Sequence, residues 1–445
     1  MTLPSGWAIA RVDELAGPGG LVNDGDWVES KDQDPSGTVR LTQLADVGEG
    51  NFRDRSARFM TKKAADSLRC TYLEPGDVLI ARMPDPIGRA CQFPGLGQPA
   101  VTAVDVMIWR SDGQLANAAW FVRWINSPIV RQAMTDGAGG TTRQRIAGGR
   151  IKELELPLPP LAEQCRIVAK LDALTTRLTR ARTELTRLPI LTERYRQAAL
   201  AAAFANETGT VVELGTLALP SASIRYGVLQ PGDEKGVGVQ MIRVCDLQNM
   251  RVAWPELRRI APEIDRRFAG ARVQNGDVLL SVVGTIGRVA IVTGMTEPTN
   301  IARAVARLRP DPSKVLPIWL ALRLASPDCQ ESFAGDAREV ARKTLNVSLI
   351  KTVPITVPSL PVQAETVRRI EAAFARADRL EAEAARAALL LGRLETAILA
   401  KAFRGELVPQ DPADEPASAL LARVRQSRGA AAKTKRGPRA AHGTS

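Results

Sequence analysis

Pro75-Gly76-Asp77-Val78-Leu79-Ile80 returns later in the chain as Asn275-Gly276-Asp277-Val278-Leu279-Leu280. A Gly-Asp pair followed by an unbroken apolar run reads as a turn feeding a buried strand. Ile87-Gly88-Arg89 likewise returns as Ile286-Gly287-Arg288. Trp120, Ser127 and Pro128 return as Trp319, Ser326 and Pro327. Arg143 falls on Arg342, Ile151-Lys152 on Ile350-Lys351, and Ala203-Phe204 on Ala402-Phe403. The offset is 200 at the first landmark and 199 at the later ones, so one deletion explains the register. That many ordered coincidences mark an internal duplication.

Each copy has a globular part and a helical part. The globular parts, residues 1–158 and 208–357, mix short apolar runs with turns. A short helix is predicted from Ala118 to Ile125, and its mate from Ile318 to Leu324. The predicted class is α+β, two tandem mixed α/β domains. The helical parts are residues 159–207 and 358–408. Leu171, Leu174, Leu178, Ala181, Leu185 and Leu188 step by 3, 4, 3, 4, 3, the seam of a coiled coil. Pro189 predicts a kink or break. In the second copy Val367, Ile370, Phe374 and Ala377, then Leu391, Leu394 and Ile398, continue a similar stripe. Two such helices in one chain pack together more readily than apart. A pseudo-two-fold axis makes them antiparallel, with the globular parts at opposite ends. At about 1.5 Å per residue, some 45 residues span roughly 65–70 Å, which is at most about 20 base pairs of duplex.

Lys and Arg number 60 against 48 Asp and Glu, a surplus of 12, and the pI is near 9.9. Such a surplus suggests a polyanionic partner, nucleic acid first. Part of it lies in a tail, 409–445, that reads as disordered and basic. The 5 cysteines, Cys70, Cys91, Cys165, Cys245 and Cys329, form no CxxC pair, and the single histidine is His442 in that tail. A Ser-His-Asp triad and a histidine-containing zinc site are therefore not expected. No apolar stretch reaches the roughly 20 residues that span a bilayer, and no leader pattern opens the chain; a cytoplasmic protein is expected. No Asn/Asp-Pro-Pro-aromatic loop and no phosphate-binding Gly-rich loop are found, so no catalytic residue is expected.

Leu3-Pro4-Ser5-Gly6-Trp7, Leu156-Pro157-Leu158-Pro159-Pro160-Leu161-Ala162-Glu163-Gln164, Arg194-Tyr195-Arg196-Gln197-Ala198 and Ala402-Phe403-Arg404-Gly405-Glu406-Leu407 resemble the specificity subunits of type I restriction-modification enzymes. The resemblance runs over about residues 3–408. It implies two target-recognition domains on an antiparallel helical spacer, reading a bipartite, asymmetric DNA site. It also implies partners: two copies of a DNA adenine methyltransferase subunit and, optionally, two restriction/translocase subunits. S-adenosylmethionine, ATP and magnesium would bind those partners, and this chain would carry no cofactor, no metal and no catalysis. Two departures stand out: Val362 replaces Glu163 at the second junction, and Asn206 stands near the first helix end, where it can serve the left-handed cap that Gly405 offers in the second copy.

Two loops per copy are the candidate DNA contacts. The first follows the Gly-Asp-Val strand, with Arg82 and Arg89 in copy one and Arg288 in copy two. Gly88 and Gly287 leave a second reading open, a tight turn that needs glycine. The second loop carries Arg143, Gln144 and Arg145, matched by Arg342 and Lys343. A solvated charged loop is the alternative there. Arg40 and Gln43, matched by Gln240 and Arg243, and also Lys62 and Lys63, complete the set. Arg suits guanine and Gln suits adenine. Two rival readings remain: a scaffold whose coiled coil gathers proteins, and the reader half of a single-chain restriction-modification enzyme.

Overall fold

The computed structural model describes residues 3–140, 144–233, 237–336 and 345–434, the last few by backbone alone from 429. It divides into two compact units, one of residues 1–183 with 388–445 and the other of residues 184–387. The globular parts are mixed α/β, and two long helices pair with each other: α1 (Leu161–Phe204) and α2 (Leu360–Ala402).

In the first unit, Leu21–Asp24, Val106–Arg110, Val78–Ala81 and Ala90–Gln92 form a four-stranded antiparallel sheet in that order. A three-stranded sheet, Phe59–Met60, Val39–Thr42 and Ala100–Thr102, lies in the same unit. The apolar run Val78–Ala81 is unbroken because both faces of its strand are covered. Val78 and Ile80 enter a core with Trp109, Trp120 and Phe121, while Leu79 and Ala81 enter a second core with Phe93 and Val106. The second unit repeats this: Val278 and Leu280 feed one core and Leu279 another.

The repeated aspartate explains itself. Asp77, 1% exposed, accepts from the Glu74 N–H and from Arg110 Nε and Nη2 at 2.6 and 2.8 Å. Asp277 accepts from the Gln274 N–H and from Arg309 at 2.7 and 2.8 Å. A buried carboxylate with a two-pronged guanidinium ties the turn to the neighbouring strand in both copies.

Each long helix is pinned to its own domain by a buried glutamine. Gln164 accepts from the Asn117 N–H and donates to the Leu115 and Pro159 carbonyls. Gln363 accepts from the Leu316 N–H and donates to the Lys314 and Pro358 carbonyls. The neighbouring Glu163 is buried and accepts from Trp7 Nε1 at 2.9 Å. Burial raises its carboxyl above the usual range, and the Trp7 bond opposes that. Its mate Val362 is half exposed.

The seam is antiparallel within each unit. In the first, Arg182 pairs with Glu395 at 2.6 Å, and Leu171 shares a core with Ala402. In the second, Arg196 pairs with Asp378 and Glu381 at 2.6 and 2.9 Å, and Leu200 and Phe204 share a core with Ile370 and Phe374. Leu171, Leu178 and Ile370 are buried; Leu174, Leu185, Leu188, Phe374, Leu391 and Ile398 are half-buried. Leu394 departs from expectation and is 49% exposed. The seam of α2 passes through Leu391, Glu395 and Ile398, so Leu394 falls one position off it. Pro189 does not break α1; it lies on the exposed side of a continuous helix. Gly405 has φ 75°, but Asn206 does not adopt a positive φ, so no left-handed asparagine ends α1.

The tail expectation is corrected. Residues Ala417–Thr434 form α3, with Ala417, Leu421 and Val424 buried in the first unit's core. Those three lie at i, i+4 and i+7, one helix face, masked in the sequence by the surrounding Ala and Arg. Residues 435–445 lie outside the described residues.

Candidate nucleic-acid interface

In copy one the two candidate loops lie side by side, and in copy two the residue just after the second loop bonds to the start of the first. The Ile146 N–H donates to the Arg82 carbonyl at 3.0 Å, and the Leu345 N–H donates to the Val282 carbonyl at 2.9 Å. These bonds are equivalent in the duplicated register. Paired backbone bonds between Gly139 and Arg145, 3.1 and 2.9 Å, close the second loop of copy one. Gln144 there is exposed, and Arg145 is half-exposed and paired with Asp105 at 3.0 Å. Arg143, Arg342 and Lys343 lie outside the described residues.

The first loop differs between the copies. Arg89 is 5% exposed, and its guanidinium donates to the carbonyls of Val47, Met83, Pro86 and Leu44 at 2.7–3.1 Å. Burial pushes its pKa down. Arg82 is likewise buried, against Asp24 at 2.6 Å. Arg40 is 9% exposed, paired with Asp54 and lying over the Phe59 ring. These three expected DNA contacts are therefore buried internal braces, with Arg89 fully engaged by carbonyls while Arg40 Nε and Arg82 Nε make no hydrogen bond. In copy two the Ser281 hydroxyl donates to the Thr285 carbonyl and accepts from the Arg288 N–H, holding the turn without a guanidinium. Arg288 itself is exposed. The turn reading also holds for the glycines: Gly88 and Gly287 have φ 79° and 90°.

Gln43 and Arg243 begin equivalent short turns. Their N–H groups donate to Asp46 and Asp246, each at 2.7 Å. Arg243 also pairs with Asp246, and the Gln240 side chain accepts from Thr299. Lys62 and Lys63 are exposed at the start of the helix Lys62–Ser67, which Thr61 caps.

Sequence reasoning missed Asp46. This carboxylate, 0% exposed, also accepts from the Arg55 and Ser56 N–H groups at 2.6 and 2.7 Å and from the Ser56 hydroxyl. It folds the segment so that Arg53, Arg55 and Arg58 are exposed, on the same stretch of chain as Lys62 and Lys63. The signal was present, since Asp46 and Asp246 stand 200 apart, in the register of the duplication. Exposed donors on a framework of buried ion pairs can bind phosphates and base edges without reorganising.

A family model described as the type I restriction modification DNA specificity domain matches residues 4–187. The chain is 35% identical over 335 residues to the type I restriction enzyme EcoBI specificity subunit of Escherichia coli, covering 68% of this chain and 70% of that protein. The chain belongs to the family of type I restriction enzyme specificity subunits. The E. coli EcoKI specificity subunit is 27% identical over 351 residues, 71% of this chain and 73% of that one. The HsdS subunit from Thermoanaerobacter tengcongensis shares the fold at TM-score 0.63 and 23% identity, over 92% of this chain and 99% of that one. A chain from a structure of a type I restriction-modification system in assembly shares it at TM-score 0.61 and 22% identity, over 92% of this chain and 100% of that one. The family expectation drawn from the short motifs thus holds. Among the described residues of this specificity subunit, no helix is long and apolar enough to cross a membrane.

Proposed function

We propose that this specificity subunit reads a bipartite, asymmetric site in double-stranded DNA, one half-site per globular domain, and brings partner enzymes to it. One observation carries the reading. The same backbone bond ties the first loop to the residue just after the second in each copy, yet the exposed side chains differ, Gln144 in copy one against Arg288 in copy two. A common frame with different displays reads different sequences. The helices, 44 and 43 residues long, bound the gap at about 20 base pairs.

The partners are two copies of a DNA adenine methyltransferase subunit and, where restriction occurs, two restriction/translocase subunits. Chemistry belongs to them, with S-adenosylmethionine, ATP and magnesium; this chain is non-catalytic and acts in the cytoplasm. Single-molecule methylation mapping of host DNA tests this. Two unlike half-sites at one constant spacing are expected. Methylation scattered without such a motif, with the partner present, would refute it.

A further inference from the structure

Between Gln43 and Arg58 the acids of the first domain are engaged and two arginines are not. A hairpin closed by the Val47–Phe52 pair carries the chain out and back, as the Leu247–Val252 pair does in copy two. Both copies then make the same return bond: the Arg53 N–H donates to the Asp46 carbonyl and the Ala253 N–H to the Asp246 carbonyl, each at 2.8 Å. Copy one adds further ties. The Asp46 carboxylate accepts from the Arg55 and Ser56 N–H groups at 2.6 and 2.7 Å. Asp54, at φ 44°, is held by Arg40 at 2.7 Å. Glu49, at the hairpin tip, pairs with Arg131 at 3.1 Å, and Arg58 donates to Gln33 Oε1 at 2.7 Å. The backbone at 53, 55 and 56 is thus pinned, and all three carboxylates of the segment have partners.

The side chains of Arg53 and Arg55 are exposed, and neither guanidinium has a hydrogen-bond or ion-pair partner among the described residues. Gly48 makes room for the first: a Cβ there would come within 2.8 Å of Arg53 Nε and 2.4 Å of the Asn51 carbonyl oxygen. Their position matters as well. Arg89 donates to the Leu44 and Val47 carbonyls and to those of Met83 and Pro86, so it staples this hairpin to the first candidate loop. Burial, and then the charges of Arg53 and Arg131, push the Arg89 pKa down, which fits an Arg53 lying beside that loop. The same loop begins at Arg82, whose carbonyl accepts from Ile146, two residues past the exposed Gln144. Copy two carries Ala253 and Pro255 at the equivalent positions, and Trp254 between them donates to the Thr293 carbonyl. The hairpin is shared; the free guanidiniums belong to copy one.

We infer that Arg53 and Arg55 form a phosphate clamp that seats the first domain on its half-site. Donors without a free acceptor match phosphate oxygens at every step of a duplex, and match a base edge only at guanine. A pinned backbone lowers the ordering cost of the contact. The clamp sets affinity and register without reading sequence, and the second domain has no equivalent at these positions. This rests on the DNA-reading function proposed above.

The test uses the full chain assembled with its methyltransferase, on a duplex carrying the mapped site. Arg53→Gln with Arg55→Gln keeps the N–H groups that Asp46 and its carbonyl hold, so stability should be unchanged. Two lost phosphate contacts should flatten the slope of log K against log salt by about 1.8. Between about 50 and 200 mM salt, the native complex should then lose about 12-fold more affinity than the double variant. Ethylation interference should vanish at phosphates of one half-site only, with the methylated motif unchanged. Arg53→Lys with Arg55→Lys keeps both charges and should restore most of the slope. An unchanged slope and interference pattern, with the native complex still selecting its site, would overturn the clamp and leave the reading function standing. A relaxed base position that lysine does not rescue would overturn it in favour of guanine reading. Weakened methyltransferase assembly with normal DNA contacts would overturn it in favour of a protein partner. A native complex that binds every duplex equally would strike the reading function itself, and the clamp with it.

Discussion

Gln363→Leu removes the pin between α2 and the second domain while nearly conserving volume. The side chain is 0% exposed and makes three bonds, to the Leu316 N–H at 2.8 Å and to the Lys314 and Pro358 carbonyls at 3.0 and 2.9 Å. Leucine satisfies none of them. Each stranded group costs about 1–3 kcal/mol, the lower end applying where water reaches it. The sum is about 3–5 kcal/mol, a large share of the roughly 5–15 kcal/mol that holds a domain. Because the chain has two units, one melting midpoint does not isolate the effect. Native-state hydrogen exchange does: amides in 184–387 should lose protection while those of the first unit keep theirs. The pin also fixes the direction in which the helix leaves its domain. Binding by the assembled complex should therefore tolerate a gap changed by one base pair better than the native complex does. A loss under about 1 kcal/mol, or an equal loss in both units, would show that the glutamine is an ornament on a helix held by apolar packing.

Three further outcomes test the other parts of the reading. Arg288→Ala should weaken DNA binding about 10- to 100-fold without moving the melting temperature, whereas Arg89→Ala should cost about 2–4 kcal/mol of stability by stranding carbonyls; the reverse pattern in paired binding and unfolding assays would exchange their roles. Leu178→Asp places a carboxylate at a site 7% exposed and should destabilise the first unit by about 3 kcal/mol or more, while Leu394→Asp, at 49% exposure, should be near neutral in denaturant titration. Burial holds the Glu207 carboxyl up at about 7 despite Arg323 at 3.2 Å, against 4.5 for a free glutamate. The folded chain thus binds this proton more tightly than the unfolded one. The stabilisation is complete below about pH 4.5 and lost as pH rises through about 7. Glu207→Gln should flatten the second unit's stability across that window.

The duplication was legible because a repeated backbone demand leaves a repeated residue. Gly-Asp at 76–77 and 276–277 must form the same turn and hold the same arginine, so both letters persist. The long helices were legible because an apolar stripe at helical spacing is a property of sequence alone. α3 was not, since alanine marks a buried helix face and a solvated tail equally well, and only Leu421 and Val424 told them apart. Asp46 was overlooked for a related reason: a carboxylate that accepts three backbone N–H groups looks in sequence like any surface acid.

The candidate site shows where position in a repeat stops predicting role. Arg89 and Arg288 are the same residue at the same place after the same Ile-Gly. One is buried among four carbonyls and the other faces solvent. The difference begins at the end of the preceding strand, where Ala81 stands in one copy and Ser281 in the other. A hydroxyl at 281 supplies the donor and acceptor that the turn needs, so copy two no longer requires a guanidinium inside the loop. Alanine supplies neither, and the loop 83–86 is instead tied down by Arg89. Swapping the pair should therefore transfer the roles: with Ala81→Ser the Arg89 brace becomes dispensable, and Arg89→Ala should cost measurably less in that background than alone. If the two substitutions prove additive in a double-mutant cycle, the serine is not the substitute for the arginine, and the divergence of the two loops needs another cause.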